Sequence, residues 1–218
     1  MAFTDFKSIS EVQEEFNIKF SEGRFIQIKE FKPSQQFLED LEFSLNHIDI
    51  FTSEPSRCEN IIYPILREVY KNYADKYSLW SHKSISYNDR LSGIPDYIIS
   101  TKSELGKTVL GLPLLIIVEA KKNDFENGWG QCLAELVTAQ KINSNDELPV
   151  YGIVTDGELW QFGKLIQNEF TKEKIRLTIN DLPEIFGAII HLLESMGNYP
   201  DHKTKSLVSE ANIIIKAA

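Results

Sequence analysis

LLIIVEAKK, Leu114–Lys122, decides the fold: five large aliphatic residues run straight into Glu119, Ala120, Lys121 and Lys122. In an extended chain alternate side chains share a face. Strict alternation therefore puts Leu115, Ile117, Glu119 and Lys121 on one side, and Leu114, Ile116, Val118 and Ala120 on the other. Both faces are apolar, which is the pattern of a strand covered on both sides at the centre of a sheet flanked by helices. Glu119 and Lys121 then project together from the end of a buried strand, where α/β proteins often place reactive groups.

The stretch just upstream repeats the theme. In SGIPDYIIS, Ser92–Ser100, a carboxylate again interrupts an apolar strand, with Asp96 on the face of Ile94 and Ile98. A hairpin turning near Gly106 would bring Asp96 opposite residues 116–118, within a residue or two of Glu119. Gly111 and Pro113 can add a bulge to the second strand or delay its start. Two buried carboxylates raise each other's pKa, an arrangement that is costly unless a cation sits between them. Hard oxygen ligands of this kind suit magnesium or manganese. Lys121, on the face of Glu119, would polarise a water molecule or steady the negative charge that builds when a phosphodiester is attacked.

Around these strands, residues 1–52 read as a mostly helical extension packed on the core. Helical spacing runs over Ser8–Phe16, a short strand is expected at Arg24–Ile28, and Phe37, Leu38, Leu41 and Leu45 form one stripe of a helix over Pro33–His47. Residues 53–197 form the core. It opens on a helix from Ser53-Glu54-Pro55 to about Tyr73, apolar at Ile61, Ile62, Ile65, Leu66 and Val69, with Pro64 as a kink. Strands follow at Leu79–Tyr87, Ile94–Ser100 and Val109–Lys121, then a helix over Asn127–Ile142. Strands at Val150–Thr155 and Leu159–Lys164 are joined by the turn pair Asp156-Gly157, followed by a strand at Ile175–Thr178 and a helix over Asp181–Met196. Residues 198–218 are a tail or docked helix.

With these pieces in place the sequence resembles the PD-(D/E)XK nuclease superfamily, the restriction-endonuclease-like fold, through Pro95-Asp96 and Glu119-Ala120-Lys121 at the ends of successive strands. It looks most like the N-terminal nuclease domain of type I restriction-enzyme motor subunits and similar stand-alone proteins. The helix segment Gly130–Glu135 and the hairpin Gly152–Trp160 add to the likeness, which covers about Ser53–Thr178. The resemblance implies an α/β fold whose central mixed sheet is flanked by α-helices, and a magnesium- or manganese-dependent nuclease acting on DNA. Asp96, Glu119 and the carbonyl of Ala120 would be metal ligands, Lys121 the catalytic lysine, and Gln131 the glutamine that contacts water or phosphate. Some relatives carry a tyrosine one turn after this glutamine, where Glu135 stands here. A helix carboxylate would complete the site. Glu59, which shares the face of Ile62 and Leu66, is preferred to Glu54, which matches the spacing of restriction-type relatives better, and Glu68 is a third choice. The alternative is a non-catalytic nucleic-acid-binding or protein-interaction module that keeps the fold.

Composition sets bounds on these readings. At 42% hydrophobic and 25% charged residues the chain has the makings of one ordinary globular domain. A net charge of −9 argues against a large nonspecific nucleic-acid surface but not against a local one: Lys102, Lys107, Lys121, Lys122 and Lys141 fall in or around the central strands, and Lys164, Lys172, Lys174 and Arg176 form a later basic group, in which Lys172 and Lys174 read first as a solvated face and only second as DNA-backbone contacts. Trp80, Trp129 and Trp160 read as packing residues. Cys58 and Cys132 are expected as buried free thiols, and the four histidines lack metal-ligand spacing. The N-terminus is acidic rather than basic-then-apolar, and the longest apolar run is too short to span a membrane, so the expectation is a cytoplasmic protein. A homodimer or a larger restriction or defence complex is its expected assembly.

Overall fold

Ser8 accepts the Glu11 N–H and Asn17 closes the last turn at φ 54°, which delimits α1 (Ile9–Phe16). These limits come from the computed structural model of the chain, which describes residues 3–197. β1 (Lys19–Gly23) follows, then α2 (Gln35–His47), capped by Ser34. Ser53 caps α3 (Glu54–Arg57), with Pro55 in its first turn, and a π-helical turn at Cys58–Ile62 leads into α4 (Tyr63–Tyr70). Next come β2 (Tyr77–Ser81), β3 (Ile85–Ser86), β4 (Ser92–Gly93), β5 (Tyr97–Thr101) and β6 (Leu114–Ala120). α5 (Phe125–Asn143), β7 (Val150–Thr155), β8 (Leu159–Ile166), β9 (Glu169–Thr178) and α6 (Leu182–Gly197) complete the described chain.

Seven strands form one mixed sheet in the order β1-β9-β8-β7-β6-β5-β2, parallel at β1/β9 and β6/β7 and antiparallel at the other pairs. Helices cover both faces, so the architecture is the α/β sandwich that the doubly apolar strand implies. One face packs against apolar residues of α2, α4 and α6, and the other against α5, α1 and the N-terminal Phe3 and Phe6. β6 is buried at every position. Its five aliphatic side chains contribute roughly 1.5–3 kcal/mol each, about 8–15 kcal/mol before conformational entropy. That is enough to hold the strand in place although its last residues are polar.

Several expectations are corrected. β6 begins at Leu114 rather than Val109, because Gly111 backs directly onto the Thr101 carbonyl in a loop. Ile99 pairs with Ile116 but Ser100 with Leu114, so Leu115 is bulged out of the ladder. Leu115 consequently packs with Ile116, Val118 and Ala120, while Leu114 joins Ile117 on the α5 side; the faces of Leu114 and Leu115 are exchanged relative to strict alternation. The N-terminal extension is not wholly helical. Its strand, at Lys19–Gly23 rather than Arg24–Ile28, pairs in parallel with β9, which starts at Glu169 rather than Ile175. On α2, Phe37 and Leu41 are buried, but Leu38 and Leu45 are 38% and 43% exposed, so the apolar stripe is narrower than its spacing suggested. The tail at 198–218 lies outside the described residues. Among the described residues no helix is long and apolar enough to cross a membrane.

Candidate active site

The β5/β6 register decides which groups meet. Tyr97 pairs with Val118, so Asp96, one step further along, comes level with Glu119 rather than with residues 116–118. The bulge at Leu115 accounts for the displacement. Asp96 Oδ2 accepts the Ala120 N–H at 2.8 Å. In an extended residue the N–H and C=O point to the same edge of the strand, so the Ala120 carbonyl also faces the Asp96 side. Lys121 Nζ lies 2.6 Å from Glu119 Oε1, and the Lys121 N–H is fixed by the Thr155 carbonyl of β7 at 2.9 Å.

Glu119 is 1% exposed, and its Oε2 has no hydrogen-bond partner. Burial first, and the negative charge of Asp96 second, push its carboxyl up to about 8 against the pull of Lys121. Asp96 is raised as well, chiefly by burial, with the Ala120 N–H and Lys121 opposing. For Lys121 burial works against the charged form, but Glu119, Glu54 and Asp96 outweigh it and raise its pKa. Lys121 is therefore a cation here, suited to stabilising negative charge rather than to taking a proton.

α5 contributes the next residues. Asp124 caps it by accepting the Asn127 N–H, and its second turn brings Gln131 to the cluster. The Gln131 amide donates to Glu135 Oε1 at 3.2 Å. Glu135 is wholly buried, its Oε2 has no hydrogen-bond partner, and burial, followed by the charge of Glu119, raises its pKa well above the ordinary carboxyl range. The fit is close. A Cβ at Gly128 would stand 2.9 Å from Lys121 Cγ and 2.8 Å from Val154 Cγ1, so only glycine lets the Lys121 stem pass beneath the helix undisturbed.

Of the three helix carboxylates, Glu54 reaches the cluster. Its Oε2 accepts the Lys122 N–H at 3.3 Å, and its charge acts on Asp96 and Lys121. Glu59 is exposed, which corrects the preference for it. It sits in the π-helical turn, where a wider turn rotates it off the face of Ile62 and Leu66 that 3.6-residue spacing assigned to it. Glu68 is engaged elsewhere, accepting from the Ser34 N–H at 2.7 Å and from Lys71 Nζ at 2.7 Å. α3 is itself anchored through buried Arg57, which donates to the Asp156 carbonyl at 2.8 Å and the Phe51 carbonyl at 3.2 Å. The Asp156-Gly157 turn thus holds the helix that carries Glu54 as well as reversing the chain.

Two residues were missed from the sequence. Glu135 was noted only as standing where a tyrosine occurs in some relatives, although it follows Gln131 by one turn on the same face. His82 was set aside for want of metal-ligand spacing, yet its N–H donates to the Asp96 carbonyl at 2.9 Å and its Nδ1 lies 3.6 Å from Asp96 Oδ1. No local signal marked it, since the contact is made across β2 and β5. Cys58 and Cys132 are buried free thiols, Cys58 with its pKa pushed up to about 12 by burial and neighbouring carboxylates.

The cluster has hard oxygen donors and two buried, unpartnered carboxylate oxygens, which fits a divalent cation chemically. Among the described residues no group of three His, Cys, Asp or Glu side chains is gathered for a metal, so side chains alone do not enclose one. No protein-family model and no curated protein matches the chain.

Proposed function

We propose that the chain is a metal-dependent nuclease that hydrolyses phosphodiester bonds in DNA, built on a restriction-endonuclease-like sheet. The observation that carries this reading is the convergence of Asp96, Glu119 and the Lys121 ammonium at the end of one buried strand, with Glu119 Oε2 left unpartnered. Asp96, Glu119 and the Ala120 carbonyl would hold magnesium or manganese. Magnesium commonly uses one or two carboxylates and keeps several waters, which suits a site that side chains do not enclose. The ion, when bound, supplies Lewis acidity and a water of lowered pKa. Lys121 provides a fixed positive charge toward the phosphoryl oxygen on which charge develops. On the helix side Glu135, held by the Gln131 amide, stands near Glu119, and Glu54 borders the site through its bond to the Lys122 N–H.

The test is incubation of purified protein with plasmid, single-stranded DNA and RNA, with and without magnesium or manganese. The expected result is metal-dependent cleavage of DNA that falls about 10²–10³-fold in Lys121→Ala, the usual cost of losing one preorganised charge-stabilising group. Failure to cut any substrate, or undiminished cutting by Lys121→Ala, sinks the proposal. One observation favours a non-catalytic module instead: the 2.6 Å contact between Lys121 and Glu119 already compensates part of the buried charge. Calorimetry separates the two. Manganese binding that disappears in Asp96→Ala supports the nuclease, and its absence in both proteins supports the module.

A further inference from the structure

The sheet continues the row that holds the acidic cluster. Glu119 pairs with Val154, Val154 with Gln161, and Gln161 with Arg176. Cross-strand partners share a face, so Arg176 stands on the face of Glu119 three strands away, about 14 Å at ~4.8 Å per strand. The ladder between β8 and β9 is then irregular. The next pair is Gly163 with Lys172, which brings Lys172 onto the same side, beside α5. Glycine is required at 163, because a Cβ there would come within 2.8 Å of Trp129 Cη2. The Trp129 ring lies under Lys172 Nζ, 5.2 Å from ring centroid to nitrogen, and its indole N–H donates to Gln161 Oε1 at 2.8 Å. A tryptophan in the first turns of α5, next to the Gly128 that accommodates Lys121, therefore backs Lys172 on the active-site face of the sheet.

The basic group read from the sequence is divided by this arrangement. Lys164 lies over the Phe25 ring on the opposite face, and Lys174 falls in the irregular stretch of β9. Lys172 and Arg176 form no ion pair among the described residues. The acidic neighbour of Lys172 is Glu22, its partner in the β1/β9 register. Burial, and then repulsion from Arg176, lower the Lys172 pKa, so the two cations stand together at a cost that an anion between them would relieve.

We propose that Lys172, backed by Trp129, and Arg176, about 14 Å across the sheet from the acidic cluster, form a phosphate subsite that holds the backbone of duplex DNA roughly four base-pair steps at 3.4 Å from the bond that is cut. The proposal rests on the nuclease reading and extends it to a second point at which the substrate backbone is held. Gln161, occupied by Trp129, and Val154 are buried beneath α5, so contacts with the DNA backbone are confined to the two ends of the row.

The experiment is fluorescence anisotropy of a labelled 30-base-pair duplex in EDTA, over a salt series from about 50 to 200 mM, the range in which phosphate contacts show their slope. Removing two phosphate contacts in Lys172→Ala/Arg176→Ala lowers the slope of log K against log salt by about 2 and weakens binding by up to roughly 60-fold at 0.1 M. Glu22→Gln, which removes the acidic neighbour, tightens binding. Thermal unfolding of each variant, and the milder Lys172→Gln, guard against a folding defect. An unchanged slope and affinity in the double variant overturn the subsite even if the wild type cuts DNA, as does a wild type that does not bind the duplex at 50 mM salt. Binding that depends on Lys172 and Arg176, in a protein that cuts nothing when magnesium is added, leaves the subsite standing and overturns the nuclease reading.

Discussion

Replacing the central carboxylate, Glu119→Gln, should make the metal-free protein more stable. Glu119 is 1% exposed with one oxygen unpartnered, and burial together with Asp96 raises its pKa from 4.5 to about 8. Because the folded-state pKa lies above the unfolded one, the stability that the protonated carboxyl provides is fully present below about pH 4.5 and is lost as pH rises through 8. At ~1.4 kcal/mol per unit, that interval sets a ceiling of roughly 5 kcal/mol on the penalty at pH 8 and above. Glutamine removes the penalty, and the pull of Lys121 on the charged carboxylate is already contained in the value of about 8. The gain at pH 8 is bounded by that ceiling, roughly 4–5 kcal/mol, or about 10–20 °C in Tm for a domain of this size. At pH 4.5 the gain shrinks toward zero, since the wild-type carboxyl is then largely protonated. Manganese should reverse the ranking, raising the wild-type Tm by mass action and leaving the variant unmoved. Circular dichroism melts in EDTA at the two pH values decide the matter. A variant no more stable than wild type at pH 8, or equally stabilised at both, refutes the electrostatic account of the site.

Three further outcomes follow from the geometry. Glu54→Gln should lower metal-dependent kcat/KM by about tenfold or more, ~1.4 kcal/mol of transition-state stabilisation, whereas exposed Glu59→Gln should leave it unchanged; the opposite pattern in a plasmid-cleavage assay would return the helix role to Glu59. Gly128→Ala gains about 1 kcal/mol of helix propensity but crowds Lys121 Cγ and Val154 Cγ1 at a cost of about 1–3 kcal/mol, so a small fall in Tm should accompany a large loss of cleavage. A raised Tm with full activity would contradict it. Arg57→Met leaves the Asp156 carboxylate buried without its cation, 3.6 Å away in the native protein, and should cost about 3 kcal/mol in chemical denaturation, with α3 loosened; a loss below about 1 kcal/mol would show that the Asp156 turn holds itself.

What could be read from the sequence was whatever periodicity or turn chemistry carries locally. The doubly apolar run of β6, the Asp156-Gly157 turn and the proximity of Asp96 to Glu119 all follow from alternation and chain reversal. The errors arise where the period itself changes. The bulge at Leu115 moved the register of Asp96, and the π-helical turn at Cys58–Ile62 turned Glu59 outward and left Glu54 in reach. β1 is polar along most of Lys19–Gly23 and is defined by its partner β9, a contact that a local pattern does not encode. Glu135 and His82 became visible only when helix and strand were packed against the cluster, because what singles them out is a neighbour distant in sequence.

The stability prediction and the proposed chemistry have one source. A carboxylate at the end of a solvent-exposed strand would be hydrated, would keep an ordinary pKa, and would gain little from a cation. Burying Glu119 beside Asp96 and beneath α5 withdraws that hydration, so in the proposed chemistry its unpartnered oxygen would gain from a hard metal ion what water does not supply. The apolar half of β6 makes this tolerable. Five aliphatic side chains locked between two helical layers contribute about 8–15 kcal/mol before entropy, against an electrostatic penalty of roughly 5 kcal/mol or less. Exchanging Leu114–Val118 for smaller residues should therefore disturb the charged end before it unfolds the domain: Ile117→Val, at about 1 kcal/mol, is expected to lower manganese affinity measurably while leaving a cooperative melt.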